Sequence, residues 1–394
     1  MEGYSFDKIT DRIGSGCVKW DLDPEVLPMW VADMDFEAPS FIREALRKRL
    51  DHGIFGYTEI KDSYYEAIIG WFGRRRGWKI EREWITPVTG VIPGLAAVLH
   101  TFTSPGDKVL INSPAYNHFF AAISNAGCKV AASPLRFSVE DGVLHYEMDY
   151  EDLEAKLSDP KVKVFLFCNP HNPSGRVWRR DELEKVGELC RKWGKPVISD
   201  EIHCEIEMPG FKYIPFASVS PENRDCCVTL NSSSKSFNLA GLKIANVITP
   251  CKEWRERIKH SVSTYECGDV NAFGPESLQA CYSPEGEQWL KEMCDYVHAN
   301  YTLLKERLEA ELPGFAISEL QGTYLAWIDC HRLIIRGITS VDIEESLKEV
   351  EKVWIMGGEI YGDGNFIRVN LATPRALFEE GLERMITGLK RLSR

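Results

Sequence analysis

The sequence predicts an α/β protein with a largely parallel sheet, followed by a smaller α+β segment. From residue 84 onward, short apolar runs alternate with segments of helical periodicity, as in parallel strands joined by helices. From about residue 285 the pattern changes to a long amphipathic helix and two separate apolar runs. With 394 residues, the chain can form two or three domains, or one large and one small domain.

The chain before the alternating region is first irregular and then helical. Residues 1–40 are rich in Asp, Pro and Trp, and we expect residues 27–36 to form an extended arm. Helices are predicted for residues 40–50, with Ser40 as the N-cap, and for residues 61–75. The cluster of Arg74, Arg75 and Arg76 lies between two glycines, which favours a solvated turn.

The remaining elements follow from the two periodicities. Strands are predicted at residues 109–112, 129–132, 162–168, 197–199 and 228–230. Helices are predicted between them at residues 93–102, 115–126, 150–157 and 179–193. In the C-terminal segment we expect helices at 287–308 and 376–392, and strands at 322–329 and 366–371.

Composition and charge argue against a nucleic-acid-binding, membrane-spanning or secreted protein. The net charge is −12 and the acidic residues are dispersed, which argues against a nucleic-acid partner. No apolar run approaches the roughly 20 residues of a membrane span, and the N-terminus lacks a signal peptide pattern. We therefore expect a cytoplasmic protein with reduced thiols. The twelve cysteines are scattered without a Cys-x-x-Cys pair, so we predict small core residues and no metal site.

Polar residues follow the predicted strands at the points where ligands bind in parallel sheets. The carboxyl ends of such strands meet at one edge, where ligands bind. Five strand ends deliver a glycine turn at Gly90, an aromatic side chain at Tyr116, an amide at Asn172, a carboxylate at Asp200 and an amine at Lys235. The sequence therefore predicts a binding site at this edge.

Lys235 lies in a run of serines directly after an apolar strand. Such a lysine can form an imine with an aldehyde cofactor, while serine hydroxyls and backbone N–H groups beside it can hold a phosphate. Asp200 can keep a proton on a pyridine nitrogen. Taken alone, Lys235 could lie in a solvated Ser/Lys loop, and Asp200 could lie in an ordinary turn at the end of a strand. Together they suit pyridoxal phosphate.

Several motifs resemble those of one enzyme superfamily. The fold-type I aminotransferase pattern is matched by Asn172-Pro-Ser-Gly, Asp200-Glu-Ile-His, Ser-x-Ser-Lys235 and Ile367-Arg368-Val-Asn. Longer stretches resemble the MalY/PatB-type cystathionine β-lyases: Pro28-Met-Trp-Val-Ala-Asp-Met-Asp-Phe36, Cys168-Asn-Pro-His-Asn-Pro-Ser-Gly-Arg-Val-Trp178 and Ser199-Asp-Glu-Ile-His203. The resemblance implies a large domain with a mostly parallel seven-stranded sheet between helices, and a smaller α+β domain. It places an arm and part of the small domain in residues 1–50, the large domain in 51–285 and the C-terminal small domain in 286–394.

The same resemblance assigns roles around the cofactor. Lys235 would be the lysine bound to the cofactor and the base that removes the Cα proton. Asp200 would pair with the pyridine nitrogen, Asn172 would contact the 3-oxygen of the cofactor, and Tyr116 would stack on the cofactor ring. The catalytic residues would be Lys235, Asp200 and Tyr116. Further cofactor contacts would come from Gly90, Val91, Ser232, Ser234, His203, Lys243 and Tyr57.

It also implies a substrate site and a second subunit. Arg368 would bind the substrate α-carboxylate, a role suited to a guanidinium group, and Asn172 would assist. Val31 and Ala32 in the arm would close over the substrate. Tyr57 would reach the site of a neighbouring subunit, contacting phosphate and substrate, which implies a homodimer.

Some residues depart from the family patterns. His203 stands where aminotransferases have a tyrosine, and Lys243 stands where they have a phosphate-binding arginine. Asn117 replaces a second aromatic residue found in some carbon–sulfur lyases, and Glu205 replaces a frequent aspartate. These changes bear on the leaving-group pocket rather than on the cofactor.

The predicted function is a pyridoxal-phosphate carbon–sulfur β-lyase, acting on cystathionine, cysteine or a related conjugate. The products would be a thiol, pyruvate and ammonia. An aminotransferase is the main alternative because it shares every cofactor residue, and a non-catalytic interaction protein on the same fold is a remote one. A serine acylase would need Ser-Asp-Asn and Lys-Thr-Gly motifs, and a dinucleotide-binding oxidoreductase would need Gly-x-Gly-x-x-Gly after a strand. The sequence lacks these patterns.

Overall fold

The computed structural model describes residues 4–394, and α-helices and strands fill most of that range. The fourteen α-helices of the described residues are α1 (Val18–Asp21), α2 (Ser40–Asp51), α3 (Asp62–Arg76), α4 (Val91–Phe102), α5 (Asn117–Asn125), α6 (Tyr150–Leu157), α7 (Arg180–Lys192), α8 (Pro221–Asp225), α9 (Lys252–Thr264), α10 (Gly274–Cys281), α11 (Pro284–Glu311), α12 (His331–Ile334), α13 (Ser340–Glu349) and α14 (Arg375–Leu392). Among these helices, none is long and apolar enough to cross a membrane.

The strands of the described residues form two large sheets and one small pair. They are β1 (Leu27–Pro28), β2 (Ile85–Val88), β3 (Lys108–Ser113), β4 (Lys129–Pro134), β5 (Arg136–Glu140), β6 (Val143–Glu147), β7 (Val162–Cys168), β8 (Val197–Asp200), β9 (Cys227–Asn231), β10 (Ala245–Ile248), β11 (Ile317–Ser318), β12 (Leu325–Asp329), β13 (Val353–Trp354), β14 (Met356–Gly357) and β15 (Phe366–Asn370).

The first sheet has seven strands in the order β2-β10-β9-β8-β7-β3-β4. Strands β4, β3, β7, β8 and β9 are mutually parallel, and only β10 runs against its two neighbours. The predicted mostly parallel, seven-stranded sheet is therefore confirmed. The predicted strands did not include β2 or β10. Both are four residues long, and Pro87 within β2 is a residue that strands tolerate mainly at a sheet edge, where β2 lies.

Apolar side chains cover both faces of this sheet. In β7, Val164 and Leu166 enter one hydrophobic cluster, while Phe165 and Phe167 enter another. Because successive side chains of a strand point to opposite faces, the continuous apolar run of β7 is required for burial on both sides. Packing on both faces holds the strands in place, and the carboxyl ends of the parallel strands lie at one edge of the sheet.

The second sheet has six strands in the order β14-β15-β12-β11-β6-β5. Its hairpin β5–β6 comes from the part of the chain between β4 and α6, inside the range predicted for the large domain. The parallel pair of β1 and β13 ties the N-terminal arm to the C-terminal part of the chain. The predicted domain limits at residues 50 and 285 stay a prediction.

Two local predictions are corrected. Pro39, with extended ψ of 155°, is the N-cap of α2, and Ser40 is already its first helical residue. The arginine cluster is not a solvated turn, because α3 continues to Arg76 and ends at Gly77, whose φ of +64° suits a glycine. Arg76 donates to Glu207 at 2.7 Å and to Glu205 at 3.1 Å. Arg75 also donates to Glu205, at 3.1 Å, so Arg75 and Arg76 anchor α3 to the chain after β8, whereas Arg74 is exposed.

Cysteines contribute to the core as predicted. Nine of the twelve are buried, and all twelve are free thiols. Burial raises the pKa of most of these thiols, for example that of Cys226 to about 11. Such thiols stay protonated and behave as small apolar side chains.

Candidate active site

Lys235 follows β9 in a tightly bonded serine loop. The Ser232 hydroxyl donates to the Ile244 carbonyl at 2.6 Å and accepts from the Ser234 N–H at 3.0 Å. Lys235 Nζ donates to the Ala32 carbonyl of the arm at 2.7 Å. Burial lowers the pKa of Lys235 to about 8, with Arg368 and Lys243 acting in the same direction and Asp33 and Asp200 opposing them. A substantial share of the amine is therefore neutral and nucleophilic near pH 8.

Asp200 ends β8 in register with Cys168 of β7 and Leu230 of β9. Its carboxylate is buried and accepts the Ile202 N–H at 3.1 Å. Burial raises the pKa of Asp200 to about 7, against the opposing effects of that hydrogen bond and of Lys235. A carboxylate in this position gains stability from any positive group brought beside it.

One cavity joins the predicted residues from several strand ends. Its lining consists of Ala32, Val91, Ile92, Tyr116, Cys168, Asn172, Asp200, Ile202, His203 and Lys235. The structure therefore brings together seven of the predicted site residues from six separate parts of the chain. Ile92, Cys168 and Ile202 were not predicted, although each is adjacent in sequence to a predicted residue or ends a predicted strand.

A helix N-terminus and an aromatic ring contribute to this cavity. Gly90 is the N-cap of the twelve-residue helix α4, with φ of +153°, a backbone conformation that side chains with a Cβ rarely adopt. Val91, the first residue of α4, lines the cavity. Tyr116 is the N-cap of α5, and burial raises its pKa to about 12. Free N–H groups at the start of α4 are suited to hold an anion.

A buried arginine beside the cavity is supplied by β15. Arg368 is buried, and its Nη1 donates to Asn172 Oδ1 at 3.2 Å while its Nη2 donates to the Trp30 carbonyl at 2.9 Å. The guanidinium lies over the Tyr361 ring at 4.6 Å, and Arg368 Nε has no partner among the described residues. A buried guanidinium with an unsatisfied donor is a site for a carboxylate.

The arm crosses this site with its backbone carbonyls. Asn370 Nδ2 donates to the Val31 carbonyl at 2.6 Å and to the Asp33 carbonyl at 2.8 Å. The Trp30 carbonyl accepts from Arg368 and the Ala32 carbonyl accepts from Lys235, so the arm contacts both of these residues. The sequence did not assign a role to Asn370 or Tyr361. Asn370 stands two residues after Arg368, on the same face of β15, which is a signal that strand alternation could have provided.

His203 is buried beside the cavity in a neutral form. Burial lowers its pKa to about 3, with Lys235 and Arg368 acting in the same direction. Its Nδ1 has no partner among the described residues, and its ring contacts that of Tyr324 edge to face at 6.1 Å. His203 lines the cavity, and an unpartnered nitrogen on such a buried residue can bond a ligand.

Other predicted residues lie away from the cavity lining. Ser232 and Ser234 lie in the adjoining loop, and Lys243 is exposed at a left-handed position with φ of +50°. Tyr57 is fully exposed on this chain. Glu205 is absent from the cavity lining, because its carboxylate is buried against Arg75, Arg76 and the Trp71 indole N–H.

The sequence is similar to one protein family over most of its length. The model of the family described as Aminotransferase class I and II matches residues 24–385. The Cystathionine beta-lyase PatB of Bacillus subtilis is 40% identical over 98% of this chain and 100% of its own length.

Solved structures are similar over the same extent. Cystalysin from Treponema denticola, whose structure contains pyridoxal 5'-phosphate, is 34% identical with a TM-score of 0.93, covering 99% of both chains. The PLP-bound C-S lyase from Staphylococcus hominis is 34% identical with a TM-score of 0.90, covering 98% of this chain and 99% of its own. The seven-stranded sheet, the lysine and aspartate at its edge and these similarities together establish that the chain belongs to the aminotransferase class I and II family.

Proposed function

We propose that this protein is a pyridoxal-phosphate-dependent carbon–sulfur β-lyase that cleaves cystathionine or a related L-cysteine conjugate. The observation that carries the proposal is that Lys235 and Asp200 line one cavity, with the buried pair of Asn172 and Arg368 at its side. The names of PatB, cystalysin and the Staphylococcus hominis lyase support the same activity.

The residues of the cavity fit pyridoxal phosphate. Lys235 offers a partly neutral amine for an aldehyde, and Asp200 offers a buried carboxylate for a protonated pyridine nitrogen. Tyr116 offers an aromatic face, and the N-terminus of α4 at Gly90 and Val91 offers N–H donors for a phosphate. The unpartnered His203 Nδ1 lies at the same cavity. This donor set matches an aldehyde, a pyridine and a phosphate in one molecule.

We assign the reaction steps to side chains of this chain. When bound, pyridoxal phosphate supplies an electron sink for the negative charge that develops at the substrate Cα. Arg368 holds the substrate α-carboxylate and thereby orients the Cα–H bond. Lys235 Nζ accepts the Cα proton, for which its lowered pKa near 8 is suited. Asp200 keeps the pyridine nitrogen protonated throughout.

The leaving group decides between the two reactions of such a site. A thiolate at Cβ departs readily once negative charge develops at Cα, whereas a substrate without a leaving group can only be reprotonated. The net lyase reaction consumes cystathionine and one water and releases homocysteine, pyruvate and ammonia. An aminotransferase would instead pass the amino group to a 2-oxo acid. The lyase names of the similar proteins favour elimination.

Acceptor dependence tests the proposal. Purified enzyme should release pyruvate and homocysteine from L-cystathionine over many turnovers without any 2-oxo acid, whereas L-alanine should give at most slow conversion. Arg368→Ala should lower kcat/KM for both substrates by roughly tenfold to a hundredfold, since one charge-assisted contact is lost. Turnover that requires a 2-oxo acid would identify an aminotransferase and refute the lyase proposal.

We further propose that the enzyme works as a homodimer in the cytoplasm. Leu50, Ile54, Phe55 and Tyr57 are all exposed in and after α2, and a second copy would cover this apolar group. Tyr57 would then enter the neighbouring subunit's site, as the resemblance implies. Twelve free thiols are in keeping with a reducing compartment.

A further inference from the structure

The arm that crosses the substrate site is held from two directions by single asparagines. Asn370 beside Arg368 bonds the carbonyls of Val31 and Asp33. Asn238, three residues after Lys235, accepts the Met34 N–H at 3.1 Å and donates to the Met34 carbonyl at 2.8 Å. The arm is thus joined to both the lysine loop and the arginine strand. Its position is linked to the two groups that the reaction needs.

A third attachment comes from the N-terminal segment and is ionic. Lys19 Nζ donates to Asp35 Oδ2 at 2.6 Å and to the Asp33 carbonyl at 2.9 Å. Arg12 donates to Asp35 Oδ1 at 2.7 Å, to the Met34 carbonyl at 2.8 Å and to Asp33 Oδ2 at 3.0 Å. Two cations therefore hold three consecutive arm residues, 33–35, through both carboxylates and carbonyls. We call Arg12 and Lys19 the arm clamp.

Burying the charges of this clamp costs hydration free energy, so a gain in stability alone does not explain its presence. Lys19 is 1% exposed and Asp35 is 5% exposed. Buried ion pairs are often no more stable than apolar residues of similar size, because both charges lose their hydration. The Trp20 indole N–H completes the shell of Asp35 at 2.8 Å. Such a fully bonded pair fixes one conformation more firmly than apolar packing would, because each bond has a direction.

The position of the arm determines which backbone carbonyls contact Arg368 and Lys235. The Trp30 carbonyl accepts a hydrogen bond from Arg368 Nη2 at 2.9 Å, and the Ala32 carbonyl accepts one from Lys235 Nζ at 2.7 Å. A small shift of the arm would change both contacts at once. It would also move the Asp33 carboxylate, whose charge acts on Lys235.

We propose that Arg12 and Lys19 are positioning residues that set the arm over Arg368 and Lys235, and so determine the affinity for the amino-acid substrate. This inference rests on the proposed function, in which Arg368 binds the α-carboxylate. Neither residue lines the cavity, so their substitution should leave the cofactor site intact. The effect should fall on KM more than on kcat.

The first test measures the arm itself and needs no activity. Hydrogen exchange of peptides covering residues 29–36 would be compared in wild type, Lys19→Met and Arg12→Met. Lys19→Met keeps an unbranched side chain one atom shorter, removes the charge and leaves Asp35 paired with Arg12, whereas Arg12→Met leaves the buried Lys19–Asp35 pair whole. Both variants should exchange the arm amides at least about tenfold faster than wild type, since each loses charge-assisted hydrogen bonds.

The matched control is Glu37→Gln. Glu37 follows the arm directly and pairs with Lys8 and Arg43, but these partners are largely exposed. Its loss should change neither arm exchange nor kinetics. If the control variant and the clamp variants behave alike, the effect is not specific to the clamp and the inference is wrong.

Kinetics give the second readout. For L-cystathionine, KM should rise by about tenfold or more in both clamp variants, with kcat and the visible spectrum of the bound cofactor close to wild type. A purely structural role would instead lower the amount of folded, loaded enzyme with unchanged KM, and that result would overturn the inference. If wild type shows no lyase activity, the proposed function fails, while hydrogen exchange still decides whether Arg12 and Lys19 hold the arm. Unchanged exchange in Arg12→Met would refute the clamp even if Lys19→Met did not fold.

Discussion

Asp200 is needed for the proposed reaction, but burying its carboxylate lowers the free energy of unfolding of the cofactor-free protein. In the cofactor-free protein its pKa is raised to about 7 by burial, whereas an unfolded aspartate titrates near pH 4. Between these values the folded chain binds more protons than the unfolded chain, so stability falls as pH rises through this range. Above about pH 7 the folded chain carries the full cost of burying this carboxylate, which the Ile202 N–H and Lys235 offset only in part.

We therefore predict that Asp200→Asn stabilises the cofactor-free protein at pH 8 by roughly 1–3 kcal/mol, and by less at pH 5. Urea denaturation of cofactor-free wild type and variant at both pH values measures this difference. Asp62→Asn is the control, because Asp62 is an exposed residue at the start of α3. In the loaded enzyme the same Asp200 substitution should remove most turnover. A wild type that is more stable than the variant at pH 8 would show that the carboxylate is already compensated.

Most elements that build the site could be predicted from local pattern. The strand ends at Asn172, Asp200 and Lys235 follow continuous apolar runs, and burial on both faces of a parallel sheet requires such runs. The hairpin β5–β6 was not predicted, although Phe137 and Val139 alternate with polar residues along β5. All residues of β5 are exposed, so this alternation does not mark a buried face. Strand β10 was missed because it is a short antiparallel strand in an otherwise parallel sheet.

Side-chain pairing between distant elements is what the sequence could not provide. Arg75 and Arg76 read as solvated residues because their partners, Glu205 and Glu207, lie more than 120 residues away in the chain. Glu205 consequently looked like a pocket residue, although its carboxylate holds α3. Asn370, Asn238 and the arm clamp escaped notice for the same reason. Their role exists only once the arm is placed across β15 and the lysine loop.

For the whole molecule, the proposed dimer makes a prediction that separates the two subunits' contributions. Tyr57→Ala homodimers and Lys235→Ala homodimers should both be inactive or nearly so. A hybrid dimer of one Tyr57→Ala subunit and one Lys235→Ala subunit should regain roughly half of the wild-type activity per dimer, since one of its two sites is then intact. Differently tagged, co-expressed chains purified in sequence allow this measurement. Tyr57→Phe serves as the conservative control.

A hybrid without activity would show that Tyr57 acts in the site of its own subunit, and a fully active Tyr57→Ala homodimer would show that Tyr57 has no role in the site. Sedimentation of the wild type supplies the independent check, with a homodimer as the expected species. An active monomer would contradict the proposed assembly, and it would leave the exposed group Leu50, Ile54, Phe55 and Tyr57 without a partner.

The central claim is that Lys235 holds pyridoxal phosphate at the edge of the seven-stranded sheet, and reduction with borohydride tests it most directly. Reduction should convert the lysine–cofactor linkage into a stable amine, and peptide mapping should place the label on Lys235 alone. Lys243, eight residues further on and exposed, is the internal control within the same region. We expect one labelled lysine per chain in wild type and no label in Lys235→Ala. Label on Lys243 or another lysine of the wild type, or a purified protein that binds no pyridoxal phosphate, would contradict it.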